Sequence, residues 1–566
     1  MAPSSSAASM ELADQAAPKD SRAGAHSISS STSTSKERKP RPKASLLSFL
    51  ASDQAYDILQ LAKLFVLAYT PCVASFLFIT AFLLSYFFVD WDAWAFCHVS
   101  PLNLLLIACA FMPSLLLFYV KIKSSPCYLV DFACFKSKDS LKLTTEHCAK
   151  ITWACGMFTE ENMIFQLKVL LRSGLGEDTY GSPNLLRENA IPNIIAGREE
   201  MDLMLFGAID DLLFQTDLDP ARIDFLIIHA CLFYPTPSLS ARIVNRYKLR
   251  ADVKTYNLSG MGCAAGLLAV NLAKDLLSVH RDKYVVIAGT ENLTLNWYYG
   301  NDKSMLVPNT LFRCGSSALL LSNQRKDRAR AKFELVQSVR TTTAASEKSF
   351  NCIVHREDDK GFIGTALSVK LLDVASHALT LNMTKLVPFN MPFSELLKTC
   401  VNAVQRMLLK HDVKPYMPDF KKAFAHFCIH PGGKAVIQGI GKTLGLSEYD
   451  MEPSKMSLHR FGNTSSSGLW YAMSYLEAKQ RFKRGEKVWQ VALGSGFKCN
   501  SVVWMALRDV KPTRGRNPWL ECIDRYPVDI STGNSVSVTS RFEELMDMVR
   551  AAKKGQEEEQ HGSLEQ

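Results

Sequence analysis

Hydrophobic and polar residues follow two different patterns along this chain of 566 residues, long uncharged runs near the amino terminus and short alternating segments after them. Two stretches near the amino terminus, 64–89 and 93–119, contain no Asp, Glu, Lys or Arg and are dense in Leu, Phe, Val, Ile and Ala. Each is long enough for a helix across a hydrocarbon core, which takes about 20 residues. The pattern predicts a transmembrane hairpin over residues 51–124, with helices at about 64–89 and 100–120.

Beyond this hairpin, short β-branched runs alternate with longer amphipathic stretches. Five runs are predicted to be buried strands: Leu226–Cys231, Tyr284–Ala288, Ala318–Leu321, Phe427–His430 and Val488–Leu493. Two stretches are predicted to be helices, Ala265–Leu277 and Gly468–Lys479. Strands that alternate with helices indicate a layered α/β fold. Residues 377–393, which are apolar and contain two prolines, are expected to be irregular. They are expected either to join two halves of the fold or to line an apolar surface.

The same order of strand, motif, helix and strand occurs twice in the chain. FLIIHAC ends at Cys231, and NLSGMGCAAG places Cys263 32 residues later. AHFCIH ends at His430, and LHRFGNTSSSG places Asn463 33 residues later. This near-equal spacing predicts a duplicated α/β unit, in which two helix starts surround one cavity together with Cys263, His430 and Asn463.

These patterns divide the chain into five parts, of which the hairpin is the second. Residues 1–50 are rich in Ser, Ala and Thr, carry a basic patch and lack the apolar run that a core requires, so a disordered tail is expected. An amino-terminal half at 125–380 carries the cysteine motif. A carboxy-terminal half at 381–530 carries the histidine and asparagine motifs. Residues 531–566 are predicted to form a polar, solvated tail.

Charge and cysteine usage limit the function classes. The formal net charge of +10 is modest for this length and forms no aromatic-interleaved basic stripe, so nucleic acid is not expected as a partner. The fifteen cysteines are scattered singly, which is typical of a reducing compartment and indicates no zinc site. The hairpin connector lacks Lys and Arg while its flanks contain them, which places both ends and the body in the cytosol.

Cys263 is the candidate nucleophile. It lies in a run of small residues that permits a sharp strand-to-helix turn and close approach of a substrate. The partial positive charge at a helix start is expected to favour its thiolate. The alternative is a buried, inert thiol. His430, which precedes Pro431-Gly432-Gly433, is a candidate catalytic residue whose alternative is a purely structural role. A structural role is also preferred for the other histidines, including His229, His426 and His459.

Two polar segments accompany the cysteine and the histidine. Asn463 precedes a Thr-Ser-Ser-Ser-Gly run and is either a helix cap or an amide that donates a hydrogen bond into the cavity. Gly494, Ser495 and Gly496 follow the last predicted strand. Glycines allow backbone N–H groups to turn towards a substrate oxygen, although such a loop is a weak sign alone.

The motifs NLSGMGCAAG, IHPGGK, LHRFGNTSSSG and GSGFKCNSV, behind a membrane hairpin, resemble those of the plant 3-ketoacyl-CoA synthases of very-long-chain fatty-acid elongation. The match covers about Tyr56 to Ile530. The resemblance implies a thiolase-like fold, a duplicated αβαβα sandwich that usually forms a homodimer. It also implies a decarboxylating Claisen condensation of malonyl-CoA with a long-chain acyl-CoA. This reaction is the first step of each elongation cycle, which supplies wax, cutin, suberin, sphingolipid or storage-lipid precursors.

The resemblance also implies roles for the candidate residues. Cys263 would hold the acyl group as a thioester, while His430 and Asn463 would stabilise an enolate. The N–H groups of Cys263 and of the Gly494–Gly496 loop would form the oxyanion hole. No metal or redox cofactor is expected beside the CoA thioester substrates. Expected partners are the ketoacyl reductase, dehydratase and enoyl reductase of the cycle, with the enzyme in the endoplasmic reticulum membrane.

Three alternatives remain open from the sequence. A condensing enzyme like the type III polyketide synthases, here membrane-anchored, would use a similar Cys-His-Asn set. A cysteine hydrolase would also pair these residue types, but it would release free acid and need no malonyl-CoA. A catalytically weak partner subunit of the elongase would keep the fold without the activity. The hairpin favours a substrate whose acyl tail prefers lipid, but the motifs do not determine chain length or saturation.

Overall fold

The computed structural model describes residues 125–187, 192–409, 413–414, 416–530 and 540–547. The predicted tail at 1–50 and the predicted transmembrane hairpin at 51–124 lie outside these residues. Most of the segment predicted as a polar tail after residue 530 lies outside them as well. The two predicted halves at 125–380 and 381–530 are described with short gaps.

The strands of the described chain are β1 (Tyr128–Cys134), β2 (Phe225–His229), β3 (Lys254–Leu258), β4 (Tyr284–Thr290), β5 (Ser316–Ser322), β6 (Phe333–Thr342), β7 (Ile353–Glu357), β8 (Ile363–Leu367), β9 (His426–Ile429), β10 (Lys487–Gly494) and β11 (Lys498–Ala506). All five predicted strands are present, with ends that differ by at most two residues. The differences arise because backbone pairing does not stop where the β-branched run stops.

The helices are α1 (Thr145–Ala154), α2 (Glu160–Arg172), α3 (Ile194–Thr216), α4 (Leu239–Tyr247), α5 (Ala265–Val279), α6 (Lys303–Leu311), α7 (Glu347–Phe350), α8 (Leu371–Asn390), α9 (Phe393–Leu409), α10 (Lys434–Leu444), α11 (Glu448–Phe461) and α12 (Gly468–Ala478). The two predicted helices are α5 and α12. Each begins at the predicted residue, because each follows directly from a tight turn of small residues.

Nine of the strands form one sheet made of two similar halves. The first half has the order β3-β2-β4-β5-β1 and the second β6-β11-β10-β9. The halves meet where Tyr128 and Leu129 pair with Glu334 and Phe333. In each half one strand pair is parallel, β2–β4 and β9–β10, and the two strands that follow it in the sheet order are paired antiparallel.

The order β2, β4, β5, β1 is thus repeated as β9, β10, β11, β6, which confirms the predicted duplication. Strand β3 has no counterpart among the described residues. By strand pairing, the second half already includes β6, which lies before the predicted junction at 380/381.

Three hydrophobic clusters show how helices cover the two half-sheets. Leu226 and Ile228 of β2 point outward and pack with α3 and α4. Phe225 and Ile227 of the same strand point inward and pack with α5 and α12, which lie between the half-sheets. The outer face of the second half packs against α8 and α10. This arrangement gives five layers of helix, strand, helix, strand and helix.

The inner helices are largely apolar because both half-sheets cover them, although Lys274 and Asp275 of α5 are exposed. Every residue of α12 is buried. Among the described residues, one helical stretch, Gly262–Val279, is long and apolar enough to cross a membrane. It contains α5 and belongs to this central layer.

The apolar segment at 377–393 differs from its prediction. It was expected to be irregular, but α8 continues through it to Asn390 with Pro388 inside the helix. Val374, Ala378 and Leu379 repeat at helical spacing and pack on the second half-sheet. Burial of this face stabilises the helix, and the prolines lie too close to its end to interrupt it.

The segment after residue 530 also departs from the expected solvated tail where it is described. Residues 540–547 are helical. Leu545 and Met546 are buried against Ala149 of α1 and Leu167 of α2. The sequence does carry a helical signal here, since Phe542, Leu545, Met546 and Val549 follow one another at helical spacing, but the charged residues around them led to the prediction of a solvated tail.

Candidate active site

Cys263 lies in the turn that leads from β3 into α5. The residues Gly262–Ala264 form one 3₁₀ turn that continues directly into the helix. Gly262 has a φ of 65°, in the left-handed region that favours glycine. A Cβ atom on Gly262 would lie 2.4 Å from the backbone nitrogen of Ser495. Glycine is therefore required both for the turn and for the approach of the β10–β11 loop.

The second half contains a matching turn after Asn463. Ser465–Ser467 form a 3₁₀ turn that continues into α12, and Ser465 has a φ of 53°. Aligning Gly262 with Ser465 by their left-handed backbone matches Cys263 with Ser466. The predicted pairing of Cys263 with Asn463 is therefore wrong by three residues, because similar spacings do not fix the register of a turn.

The two helix starts lie against each other, as the duplication predicts. A Cβ atom on Gly266, in the first turn of α5, would lie 2.4 Å from the carbonyl oxygen of Ser466. The hydroxyl of Ser465 donates a hydrogen bond to Cys263 Sγ over 3.6 Å. The turn that carries Asn463 therefore contacts the thiol of Cys263 directly.

His430 follows the last residue of β9 at the carboxyl end of the sheet. Its backbone N–H donates to Val491 of β10 over 2.9 Å, which fixes the main chain. The side chain is 3% exposed, and neither ring nitrogen has a hydrogen-bond partner. Buried polar atoms are nearly always paired, so two unpaired nitrogens mark a place for a ligand.

The amide of Asn463 is held in one orientation by its neighbours. Its Oδ1 accepts a hydrogen bond from the N–H of Ser465 over 2.9 Å. Its Nδ2 donates to the carbonyl oxygen of Gly432 over 3.3 Å. The oxygen thus stabilises the turn, as a cap would, and the second N–H of the amide remains for a ligand.

The loop of Gly494, Ser495 and Gly496 packs on the cysteine turn. A Cβ atom on Gly494 would lie 2.8 Å from the carbonyl oxygen of Met261. Gly496 has a φ of 71°, which reverses the chain between β10 and β11. Ser495 and Gly496 face the cavity that Cys263 lines, whereas Gly494 supports them from below.

One cavity of about 520 Å³ brings the predicted residues together. Cys263, His430, Asn463, Ser495 and Gly496 all line it. The volume lies within the range of ligand pockets, roughly 300–1,000 Å³. Beyond these polar groups the walls are mostly apolar, and they include Leu232, Leu293, Phe312, Phe350, Ile353, Leu367, Leu371, Val436 and Phe497.

Burial controls the protonation of the cysteine and the histidine. It raises the pKa of the Cys263 thiol to about 11, partly offset by the hydrogen bond from Ser465. Burial lowers the pKa of His430 to about 4. Loss of hydration on burial thus acts against the thiolate that the helix start was expected to favour. At neutral pH the site holds a thiol and a neutral imidazole.

Two cavity residues were missed in the sequence. Glu291 is 5% exposed and accepts backbone N–H bonds from Cys231 and Leu232. Its burial raises the pKa of the carboxyl group to about 7. Cys231 Sγ accepts the N–H of Gly262 over 3.2 Å. The sequence signal was the Glu-Asn pair directly after a buried strand, which places polar groups at the same sheet edge as the cysteine.

Three of the other histidines, His229, His426 and His459, do not line this cavity, in agreement with their structural interpretation, whereas His355 of β7 does line it. His229 ends β2 and is fully buried, and its Nδ1 lies 2.7 Å from the hydroxyl of Ser466. His459 lies beside Tyr526, with 3.4 Å between Nδ1 and the phenol oxygen. His426 contacts the carboxylate of Glu486 over 3.1 Å.

Comparison with known proteins identifies the family of this site. Residues 119–408 match the family described as FAE1/Type III polyketide synthase-like protein. Residues 421–506 match the carboxy-terminal domain of 3-oxoacyl-[acyl-carrier-protein] synthase III. The chain is 49% identical over 429 residues to 3-ketoacyl-CoA synthase 9 of Arabidopsis thaliana, covering 75% of this chain and 84% of that protein. The chain belongs to the 3-ketoacyl-CoA synthase family.

Other members of the 3-ketoacyl-CoA synthase family show the same level of similarity. 3-Ketoacyl-CoA synthases 4 and 11 of Arabidopsis thaliana are each 50% identical to this chain. The matched regions span 73% and 74% of this chain, and 80% and 82% of those proteins, respectively. The resemblance drawn from the motifs is confirmed, and the chain is an acyltransferase-type condensing enzyme.

Solved structures confirm the thiolase-like fold. PKS-I from the brown alga Ectocarpus siliculosus matches with a TM-score of 0.53 and 16% identity, covering 68% of this chain and 99% of its own. The carboxy-terminal type III polyketide synthase domain of Steely1 from Dictyostelium matches with a TM-score of 0.52 and 15% identity, with the same coverage. At such low identity these matches concern the fold alone.

Proposed function

We propose that this protein condenses malonyl-CoA with a long-chain acyl-CoA and releases carbon dioxide, the first step of each very-long-chain fatty-acid elongation cycle. The observation that carries this proposal is the single cavity that joins Cys263 to the unpaired ring nitrogens of His430 and the oriented amide of Asn463. Similarity to 3-ketoacyl-CoA synthases of about 50% identity supports the same reaction. The product is a 3-ketoacyl-CoA two carbons longer than the substrate.

In the first step, Cys263 attacks the thioester carbonyl of the acyl-CoA. A new C–S bond forms on Cys263 while the bond to the CoA sulfur breaks, and the thiol proton ends on CoA. We assign the transfer of that proton to neutral His430, because it lines the same cavity and both of its ring nitrogens are unpaired. Backbone N–H groups of Cys263 and of the Ser495–Gly496 loop stabilise the oxyanion.

In the second step, malonyl-CoA loses carbon dioxide and leaves an enolate. His430 and Asn463 donate hydrogen bonds to the enolate oxygen, which a neutral imidazole and an amide can do without being deprotonated. The enolate carbon attacks acyl-Cys263, and the C–S bond breaks. The Cys263 sulfur then takes up one proton. The two CoA thioesters supply every group of the product, so no metal or redox cofactor enters the proposed reaction.

The acyl tail is proposed to occupy the apolar part of the cavity. This part extends to the β7–β8 hairpin and the start of α8, where Phe350, Ile353, Leu367 and Leu371 form its walls. Burial of a hydrocarbon tail there is favourable by about 0.8 kcal/mol for each methylene group. The side chains at the far end therefore decide which chain lengths are accepted.

Condensation assays test this function against its alternatives. Microsomes that express the protein should convert radiolabelled malonyl-CoA and a panel of acyl-CoAs into 3-ketoacyl-CoA longer by two carbons. Free fatty acid formed without malonyl-CoA would show a hydrolase, and several successive malonyl additions would show polyketide synthesis. A folded protein that is inactive alone but raises the activity of another synthase would be the weak partner subunit.

We further propose that residues 51–124 anchor the enzyme in the endoplasmic reticulum membrane with its catalytic body in the cytosol. Three features of the sequence support this topology: the two uncharged stretches, the Lys and Arg residues that flank them, and a connector that contains Asp but no Lys or Arg.

A homodimer is proposed through β3, a short strand at the end of the sheet order whose exposed outer edge can pair with a second copy. The ketoacyl reductase, dehydratase and enoyl reductase of the cycle are the proposed partners.

Topology predicts a clear difference between two glycosylation tags. A tag in the connector between residues 90 and 100 should be modified, because the connector lies across the membrane, whereas a tag at the carboxyl terminus should not. Deletion of residues 63–123 should release the protein from carbonate-washed membranes. Modification of the carboxy-terminal tag would place the body in the lumen and contradict the proposal.

A further inference from the structure

Helix α9 presents a row of apolar side chains to the outside of the fold. Leu397, Val401, Val404 and Leu408 are 47%, 48%, 50% and 69% exposed. Their spacing of four, three and four residues places them on one side of the helix. We call these four residues the α9 stripe. Phe389, at the end of α8, is 56% exposed and precedes them by two helical turns.

The opposite side of α9 is firmly attached to the protein. Leu396 is buried in the outer core of the second half. Glu395 is fully buried and accepts hydrogen bonds from Lys422, from the phenol of Tyr416 and from the backbone of Asp419. An exposed apolar row on a helix that is fixed by its other side indicates a contact surface.

The surroundings of the stripe are positively charged. Residues 385–425 contain seven Lys or Arg and three Asp or Glu. Three of the basic residues are already paired, Lys398 and Lys422 with Glu395 and Lys421 with Asp450. Lys385, Arg406 and Lys414 are exposed, and Arg406 lies on the side of α9 opposite to the stripe. An apolar row with exposed basic residues nearby is typical of helices that lie in the surface of a membrane with anionic lipids.

The stripe lies at the end of the sheet where the described chain begins. The N–H of Leu335 in β6 donates to the carbonyl oxygen of Cys127 over 2.8 Å. Two residues further, Gln337 donates to the carbonyl oxygen of Lys385 over 3.2 Å and contacts Asn390. Asn390 is three residues before α9. The uncharged stretches of the sequence end only a few residues before Cys127, so the same end of the sheet receives the proposed anchor.

The cavity opens at the other end of β6. Thr343, which follows this strand, donates its N–H to the carbonyl oxygen of Phe497, a residue of the cavity wall. Six residues separate Gln337 from Thr343, or roughly 20 Å at about 3.3 Å per residue. A surface that contacts the α9 stripe would therefore leave the cysteine site clear.

We propose that the α9 stripe is a membrane-contact surface that lies on the anionic phospholipid leaflet next to the anchor. Two other occupants fit less well. The uncharged stretches of this chain would cover the apolar row but leave the surrounding cations without counter-charges. A second copy in a symmetric contact would bring the same positive surface against itself. The proposal rests on the membrane anchor proposed above.

Site-specific photocrosslinking on the full chain tests the proposal. A photoreactive phenylalanine analogue replaces Leu397 in protein reconstituted into nanodiscs of phosphatidylcholine and phosphatidylserine. Val369 is the matched control, because it is 99% exposed and lies beyond the opposite end of α8, a helix about 30 Å long. We expect phospholipid adducts at position 397 and only background at position 369.

Other outcomes overturn the proposal. Adducts between position 397 and a second copy, adducts with residues 64–120 of the same chain, or equal lipid labelling at both positions would each do so. Carbonate extraction of the same protein reports separately on the anchor. Lys385→Gln, one helical turn before the exposed Phe389, should lower lipid adduct yield at position 397 by up to about fivefold when phosphatidylserine is present. Lys370→Gln, beside the control position, should not, and an equal effect of both would contradict the electrostatic part.

Discussion

Cys263→Ala is expected to abolish both the covalent acyl-enzyme and condensation, because the acyl group then has no sulfur to which it can be transferred. Cys263→Ser should be nearly as inactive, since a hydroxyl group is a poor nucleophile beside an imidazole whose pKa is about 4. Acyl transfer from radiolabelled acyl-CoA and product formation from malonyl-CoA measure the two losses. Condensation near the wild-type rate in either variant would refute the assignment.

Cys231→Ala is the informative companion variant, because Cys231 lines the same cavity. It should still form the acyl-enzyme.

The pH dependence of alkylation provides a second test of Cys263. With a thiol pKa of about 11, the thiolate fraction increases about tenfold for each pH unit from 7 to 10, and labelling by iodoacetamide should increase in parallel. A labelling rate that is already constant above pH 7 would show a stabilised thiolate and contradict this pKa.

Asn463→Ala is expected to separate the two half-reactions. Acyl transfer to Cys263 should persist, while decarboxylation and chain extension should fall by about 10²–10³, the usual effect of losing one oxyanion donor in a dry site. Asn463→Asp should be equally harmful, because a carboxylate repels the enolate. His430→Ala should lose extension to a similar degree and should also acylate more slowly, because the same ring handles the thiol proton.

A structural effect of Asn463 would be visible in the same experiment. Its Oδ1 holds the N–H of Ser465, and the hydroxyl of Ser465 contacts Cys263. If Asn463→Ala lost acyl transfer and extension equally while remaining folded, its role would be to position the cysteine. Ser465→Ala is the matched control, because it removes the contact to sulfur but keeps the amide.

Much of this architecture could be predicted from the sequence because periodicity and turn chemistry are local signals. The strands, the inner helices and the small-residue turn at Cys263 follow from residues that are neighbours in the chain. Glu291 offered only the local sign of a polar pair after a buried strand, because its contact with Cys231, which is 60 residues away, arises through parallel strand pairing. The membrane hairpin remains a prediction, since its residues lie outside those described.

Tertiary packing overrode local signals at two other places. Pro388 suggested an irregular segment, but one buried face was sufficient to keep α8 helical to Asn390. The thiolate expected at Cys263 was likewise a local inference from a helix start. The actual protonation depends on the other half of the fold, which buries the sulfur and removes its hydration.

The contact between His229 and Ser466 shows what became of the second copy of this site. His229 ends β2 as His430 follows β9, and Ser466 stands where the first half has Cys263. The two halves thus contain two such pairs related by approximate symmetry, of which one is open to the cavity. The closed pair is a buried hydrogen bond across the two halves. Such a bond stabilises the fold. It offsets part of the free energy that is lost at the open pair, where both ring nitrogens of His430 stay unpaired until substrate binds.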